Sequence, residues 1–257
     1  MIDTHAHLYD EIFMVDHASL MNEIQSAGIK EVWLPNCDLE TWTALANLSD
    51  LYPHFCKPMI GLHPTYVKED FESQLARLHE ILIEKSVLAI GEIGLDYYWD
   101  LNFVDQQKKA FERQCHWALD SHLWIDVHCR KAYADLIKIL RKPEFKDVKG
   151  IIHCFSGDVA EAKHLVDLGF LLGIGGVITY KNTNLFEAIR EIPLESIVLE
   201  TDAPYLTPVP HRGKPNSPAY IPLIAQKLAD LYEVSFAQLV DQTTLNALKL
   251  KEYSNYQ

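Results

Sequence analysis

Two imidazoles stand two residues apart at the start of the chain, in Asp3-Thr4-His5-Ala6-His7-Leu8. Alternate side chains of an extended segment share a face, so His5 and His7 point the same way, and one divalent cation can take both rings at about 2.0 to 2.1 Å. A His-x-His pair alone is weak evidence, so the question is whether the chain supplies further donors. Polar residues recur at the ends of otherwise apolar segments: His63 before Pro64, Glu92 within Gly91-Glu92-Ile93-Gly94-Leu95-Asp96, then His128, His153 and Glu200-Thr201-Asp202. A carboxylate set between Ala89-Ile90-Gly91 and Ile93 needs a charged or metal partner once buried, and the same holds for Asp202. Histidines with carboxylates suit one or two divalent ions such as zinc, magnesium or manganese. Six donors plus water fill a pair if one carboxylate bridges, and Glu92 is the natural bridge by its central place in the order.

Something must bring residue 5 beside residue 202. After the opening strand, helical spacing over Ala18–Ala27 ends at Gly28, and a strand follows at Lys30–Leu34. A helix capped by Asp38 leads to a strand at Cys56–Leu62, and Phe71–Lys85 leads to one at Val87–Ile93. The alternation continues with helix Phe103–Ser121 and strand Leu123–Val127, then helix Ala132–Leu140 and strand Gly150–Cys154. A helix from Asp158, closed by Gly169, precedes strand Phe170–Ile174; helix Leu185–Glu191 precedes strand Ser196–Leu199. Ala203–Pro218 reads as loop, and Ile221–Tyr232 and Phe236–Leu248 as closing helices.

Eight apolar strands alternating with helices predict an α/β chain folded as a (β/α)₈ TIM barrel, distorted or regular, with an open doubly wound sheet as the alternative. In such a barrel the C-terminal strand ends carry the chemistry, and these are the places where the donors fall. No G-x-G-x-x-G follows the first strand, and Gly173-Ile174-Gly175-Gly176 lacks that spacing, which disfavours a dinucleotide site.

The 257 residues are expected to form one barrel over 1–257, since α/β barrels fill this length as one domain. There is no apolar run long enough to span a bilayer and no leader before the first strand, so a cytoplasmic location with no membrane partner is expected. The five cysteines include no Cys-x-x-Cys pair, which fits a reducing compartment; Cys129 and Cys154 read as small buried hydrophobes facing away from the site. A formal charge of -13 opposes non-specific grip on duplex nucleic acid, although bound cations would reverse the sign locally.

The blocks Asp3-Thr4-His5-Ala6-His7-Leu8, Gly61-Leu62-His63-Pro64, Gly91-Glu92-Ile93-Gly94-Leu95-Asp96-Tyr97-Tyr98, His153-Cys154-Phe155-Ser156-Gly157 and Glu200-Thr201-Asp202-Ala203-Pro204-Tyr205-Leu206 resemble, in order, the signature of TatD-type metal-dependent deoxyribonucleases of the amidohydrolase-like class. The resemblance runs to about Leu248. It implies a distorted TIM barrel with two divalent ions per chain: one on His5, His7 and Asp202, the other on His128 and His153, with Glu92 bridging. The block around His128 departs from the usual His-Ser-Arg-Asp-Ala, reading His128-Cys129-Arg130-Lys131-Ala132, yet keeps the ligand and the arginine.

The activity implied is hydrolysis of DNA phosphodiesters, chiefly trimming of single strands or ends, by a water that the cations activate. Asp202 then accepts the proton, and His63 binds a phosphate oxygen or protonates the leaving group. Arg130, Arg212 and Lys214 are candidates to offset charge on the phosphate. Tyr97, Tyr98, Trp99 and Phe155 are candidates to stack bases. A small-molecule amide, ester or phosphoester hydrolase on the same cage is the alternative, and a non-catalytic metal-binding barrel is a third reading. Relatives on that alternative path often bridge with a carbamylated lysine where this chain has Glu92. The sequence sets no oligomeric state, a monomer being one reading.

Overall fold

In the computed structural model, which describes residues 1–13 and 16–254, eight strands alternate with helices. The strands are β1 (Ile2–Asp3), β2 (Glu31–Leu34), β3 (Cys56–Ile60), β4 (Ala89–Asp96), β5 (Trp124–Arg130), β6 (Gly150–Ile152), β7 (Leu171–Ile174) and β8 (Ile197–Leu199). They lie side by side in chain order, and every pairing is parallel. Parallel neighbours need long crossovers. These run through α1 (His17–Ser26), α2 (Leu39–Leu51), α3 (Phe71–Glu84), α4 (Val104–Ser121), α5 (Tyr133–Leu140), α6 (Val159–Asp167) and α7 (Leu185–Ile189), with α8 (Ile221–Tyr232) and α9 (Phe236–Tyr253) after the last strand.

The sheet curls until its last strand reaches its first. Thr4 N–H donates to the Leu199 carbonyl at 3.0 Å, Asp202 N–H to the His5 carbonyl at 2.9 Å, and His7 N–H to the Ala203 carbonyl at 2.7 Å. The chain is therefore a (β/α)₈ barrel, and its seam joins the segment carrying His5 and His7 to the one carrying Asp202. Regular strand β1 stops at Asp3, and the segment beyond it meets the irregular stretch after β8 through the bridge Ala6–Ala203.

Two apolar layers hold the barrel. Outward residues such as Val32, Ile60, Ile90, Ile125, Val127 and Leu172 pack against the helices. Ile2, Trp33, Met59, Trp124, Ile151 and Val198 fill the lower interior, closed from below by Ala247 and Leu250 of α9. Trp33 and Trp124 meet there with ring centroids 5.2 Å apart. Because side chains alternate along a strand, the face of β5 that carries Trp124 carries Asp126 and His128 above it. The floor is plugged, so polar chemistry is confined to the C-terminal rim.

β4 runs to Asp96, three residues past the expected end, because its register against β5 slips between Ile90 and Ile93 and then resumes through Asp96–Arg130. Such a bulge re-aims a side chain, here that of Glu92. Its backbone is tied to the β2–α2 loop: Glu92 N–H donates to the Asn36 carbonyl and Asn36 N–H to the Gly91 carbonyl, both at 3.0 Å. At Gly91 a Cβ would stand 2.5 Å from the Cβ of Asp126, so only glycine lets β4 and β5 close at this level. No helix among the described residues is long and apolar enough to cross a membrane.

Candidate metal centre

Glu92 is the hub. One of its carboxylate oxygens, Oε2, faces His5 Nε2 at 3.5 Å and His7 Nε2 at 3.6 Å. The other, Oε1, faces His153 Nε2 at 2.8 Å and both His128 Nδ1 and His63 Nε2 at 3.1 Å. Asp202 Oδ1 completes the first group, 3.7 Å from His5 Nε2 and 3.5 Å from His7 Nε2, with the two nitrogens 3.2 Å apart. Atoms bound tetrahedrally to one ion at about 2.1 Å lie roughly 3.4 Å from one another. The distances that His5 and His7 make with each other, with Glu92 and with Asp202 are thus close to those a shared cation requires. A second triangle, His128, His153 and Glu92, is tighter, with the two ring nitrogens 3.3 Å apart. The His5 and His153 rings stack between the groups, centroids 3.8 Å apart and planes within 6°.

The outer ring atoms show which inner nitrogens are free to donate. His5 Nδ1 meets Asp126 Oδ2 at 2.7 Å. His7 Nδ1–H gives to the Tyr9 hydroxyl oxygen at 2.9 Å, since that hydroxyl donates to the Pro35 carbonyl at 2.7 Å. His128 Nε2 meets Asp96 Oδ2 at 2.8 Å. Each outer nitrogen keeps its proton, so the neutral rings turn bare lone pairs on one another and on a carboxylate. Such a centre needs positive charge. Protons supply it in the absence of a cation: burial opposes charging His5, yet Asp126 and Glu92 outweigh it and hold the ring well above its ordinary value. His128 is likewise raised to about 9 by Asp96 and Glu92 against the cost of burial. Burial works to raise Glu92, but His63, His153 and His5 hold it well below the carboxylate range. A divalent ion supplies the same charge while using every lone pair, and the donor set fits it.

His63 differs from its neighbours. Its Nδ1 accepts from Thr65 N–H at 3.2 Å and lies 2.7 Å from the Thr65 hydroxyl, which fixes the proton on Nε2, directed at Glu92. It is a hydrogen-bond donor at the edge of the cage.

Above the cage opens a cavity of about 580 Å³ whose walls include His63, Trp99, Arg130, Cys154 and Tyr205. Arg130 lies over Tyr98, its guanidinium carbon 3.9 Å from the ring centroid. Arg212 instead stacks on Tyr180 at 4.2 Å, and neither it nor Lys214 is among the cavity walls. Tyr97 also lies outside them, its hydroxyl donating to Asp135 at 2.8 Å. Cys129 is buried in the outer core, yet it too borders the cavity rather than facing away from the site. Cys154 does not face away: at φ 44° the chain turns off β6 and the residue opens on the cavity, with burial and nearby Glu200 pushing its thiol far up.

Sequence reasoning passed over Asp126, Tyr9, Thr65 and the bonds of Asp96. For Asp126 a signal existed, a charge inside the apolar strand Leu123–Val127 at two residues from His128. Asp126 orients His5 and raises its basicity, and such partners are worth about 10- to 100-fold in metal affinity. Asp126→Asn should therefore weaken divalent-ion binding by about that factor in competition with a chelating dye. Unchanged affinity would reduce Asp126 to packing.

A parallel barrel with a buried histidine and carboxylate cage at its C-terminal rim defines a metal-dependent hydrolase. The chain matches the family described as TatD related DNase over residues 2–251, and it belongs to that family. It is 36% identical over 251 residues to the uncharacterized metal-dependent hydrolase YabD of Bacillus subtilis, covering 97% of this chain and 98% of that one. It is 32% identical over 253 residues to the uncharacterized metal-dependent hydrolase YcfH of Escherichia coli, covering 97% and 95%. Among solved structures it resembles the TatD homolog YJJV of Escherichia coli, with a TM-score of 0.92, 28% identity and 97% of each chain covered.

Proposed function

We propose that this protein is a metal-dependent deoxyribonuclease that trims single-stranded DNA or DNA ends at a centre for two divalent ions, with His5, His7 and Asp202 on one, His128 and His153 on the other, and Glu92 between them. The observation that carries the reading is the division of labour at Glu92, whose two oxygens face two separate sets of imidazoles. Bound divalent ions would supply Lewis acidity and lower the pKa of a water.

The chain's own groups do the rest. His63 presents Nε2–H towards the place where a phosphate oxygen or leaving group must sit, in a tautomer fixed by Thr65. Asp202 accepts the proton released by the attacking water. Arg130, held over Tyr98, offers a planar cation to the phosphate at the cavity wall. The family description names a DNase, which favours this substrate over a small molecule. The size of the cavity equally suits a small ester or amide, which keeps that second reading in the test.

The experiment is an assay of metal-stripped protein on single- and double-stranded DNA and RNA oligonucleotides, with magnesium, manganese and zinc restored separately. Metal-stimulated release of nucleotides from single-stranded DNA is expected. Absence of cleavage of every oligonucleotide with every metal would overturn the reading.

A further inference from the structure

The loop after β4 carries one feature that the cage does not need. Of the five tryptophans, Trp33, Trp42, Trp117 and Trp124 are buried, whereas Trp99 is 68% exposed and forms part of the cavity wall. An indole left in water at the mouth of a site is an unsatisfied apolar surface beside a polar one.

Trp99 is also placed with care. Asp96 holds the metal-facing ring of His128 with Oδ2 at 2.8 Å, and with Oδ1 it accepts from Tyr98 N–H at 2.8 Å and Trp99 N–H at 3.1 Å. One carboxylate thus fixes both a ligand of the centre and the backbone beneath the indole. Tyr98 stands edge-on to Trp99, planes at 84°, and supports Arg130, whose guanidinium carbon lies 5.5 Å from the Trp99 centroid. The other candidates for stacking are occupied: Phe155 is buried, and Tyr97 is bonded to Asp135. In the closed barrel, strand order puts β8 diametrically across from β4, so half-exposed Tyr205, which follows β8, faces this loop across the mouth.

We propose that Trp99 is the platform on which an unpaired base adjoining the scissile phosphodiester stacks, while Arg130 takes the phosphate beside it, so that the site selects single-stranded over paired ends. This rests on the nuclease reading above and deepens it. A flat aromatic surface is what every base can use, and a paired base inside a duplex has both of its faces already covered. Arg130 on its tyrosine prop adds a cation at the edge of the same surface.

The test compares wild type, Trp99→Phe and Trp99→Ala, all metal-loaded, on a single-stranded oligonucleotide with a normal end and on the same strand with an abasic end. Trp99 is solvent-exposed, so its replacement spares the core. Trp99→Ala should lower kcat/KM on the normal end by about tenfold, Trp99→Phe should restore most of it, and the abasic end should change by less than about twofold. Tryptophan emission of the wild type should be quenched by a cleavage-resistant phosphorothioate strand, since Trp99 is the exposed indole. If wild type trims the normal end but Trp99→Ala loses nothing, or loses as much on the abasic end, the platform is overturned and the nuclease reading stands. If wild type trims no oligonucleotide, the nuclease reading itself falls, and the platform with it.

Discussion

Glu92→Ala is expected to abolish metal-stimulated cleavage of a single-stranded oligonucleotide while the barrel stays folded. The carboxylate faces five imidazoles at once, with its side chain only 3% exposed. Its loss leaves the two histidine groups without a shared anion, so the two ions proposed for this centre would have nothing to hold them together. A correctly held ion is worth several kcal/mol in the transition state, which sets the expected loss of rate at about 10³-fold or more. Glu92 is a member of neither apolar layer, the plug with Trp33, Met59 and Trp124 or the helix-facing one, so the substitution removes no residue from either. Circular dichroism should therefore match the wild type while the measured metal content per chain falls. Undiminished cleavage by the variant would refute the bridging role.

Why the sequence disclosed so much of this site is a matter of contrast. An apolar strand of a barrel is legible as such, and a histidine or carboxylate at its end stands out, which is how His5, His7, His63, Glu92, His128, His153 and Asp202 were found from residues as much as 197 apart. The structure brings these seven together. What contrast cannot supply is direction. His63 and His128 look alike in sequence, yet Thr65 fixes the first as a donor and Asp96 turns the second to present Nδ1. Nor can it supply register: the slip between Ile90 and Ile93 that aims Glu92 depends on the contact of Gly91 with Asp126, a residue of another strand. Arg212 and Tyr97, named from their nearness to the motifs, lie against Tyr180 and Asp135 because loop paths are set by packing that no short motif encodes.

Asp202→Asn should divide the two roles proposed for this side chain. Asp202 is a cage donor through Oδ1, at 3.7 and 3.5 Å from the ring nitrogens of His5 and His7, and its side chain, 15% exposed against 3% for Glu92, is the cage carboxylate with a path to solvent. Burial works to raise it, but the hydrogen bond with His7 and the charges of His5, His153 and His7 outweigh this and hold it below the ordinary carboxylate range. It is therefore ionised near neutrality and ready to take a proton and pass it outward. Asparagine keeps the shape and a neutral oxygen donor but accepts no proton. Weaker metal binding by the variant is recoverable with excess ion, whereas the loss of a proton acceptor is not. At saturating metal kcat should stay about 10² to 10⁴-fold below wild type, the usual contribution of a positioned acid or base. The deficit should be equal at about pH 6 and about pH 8, because wild-type Asp202 is already ionised throughout that range. Full recovery of kcat with excess metal would reduce Asp202 to a ligand and move the proton to another group at the rim.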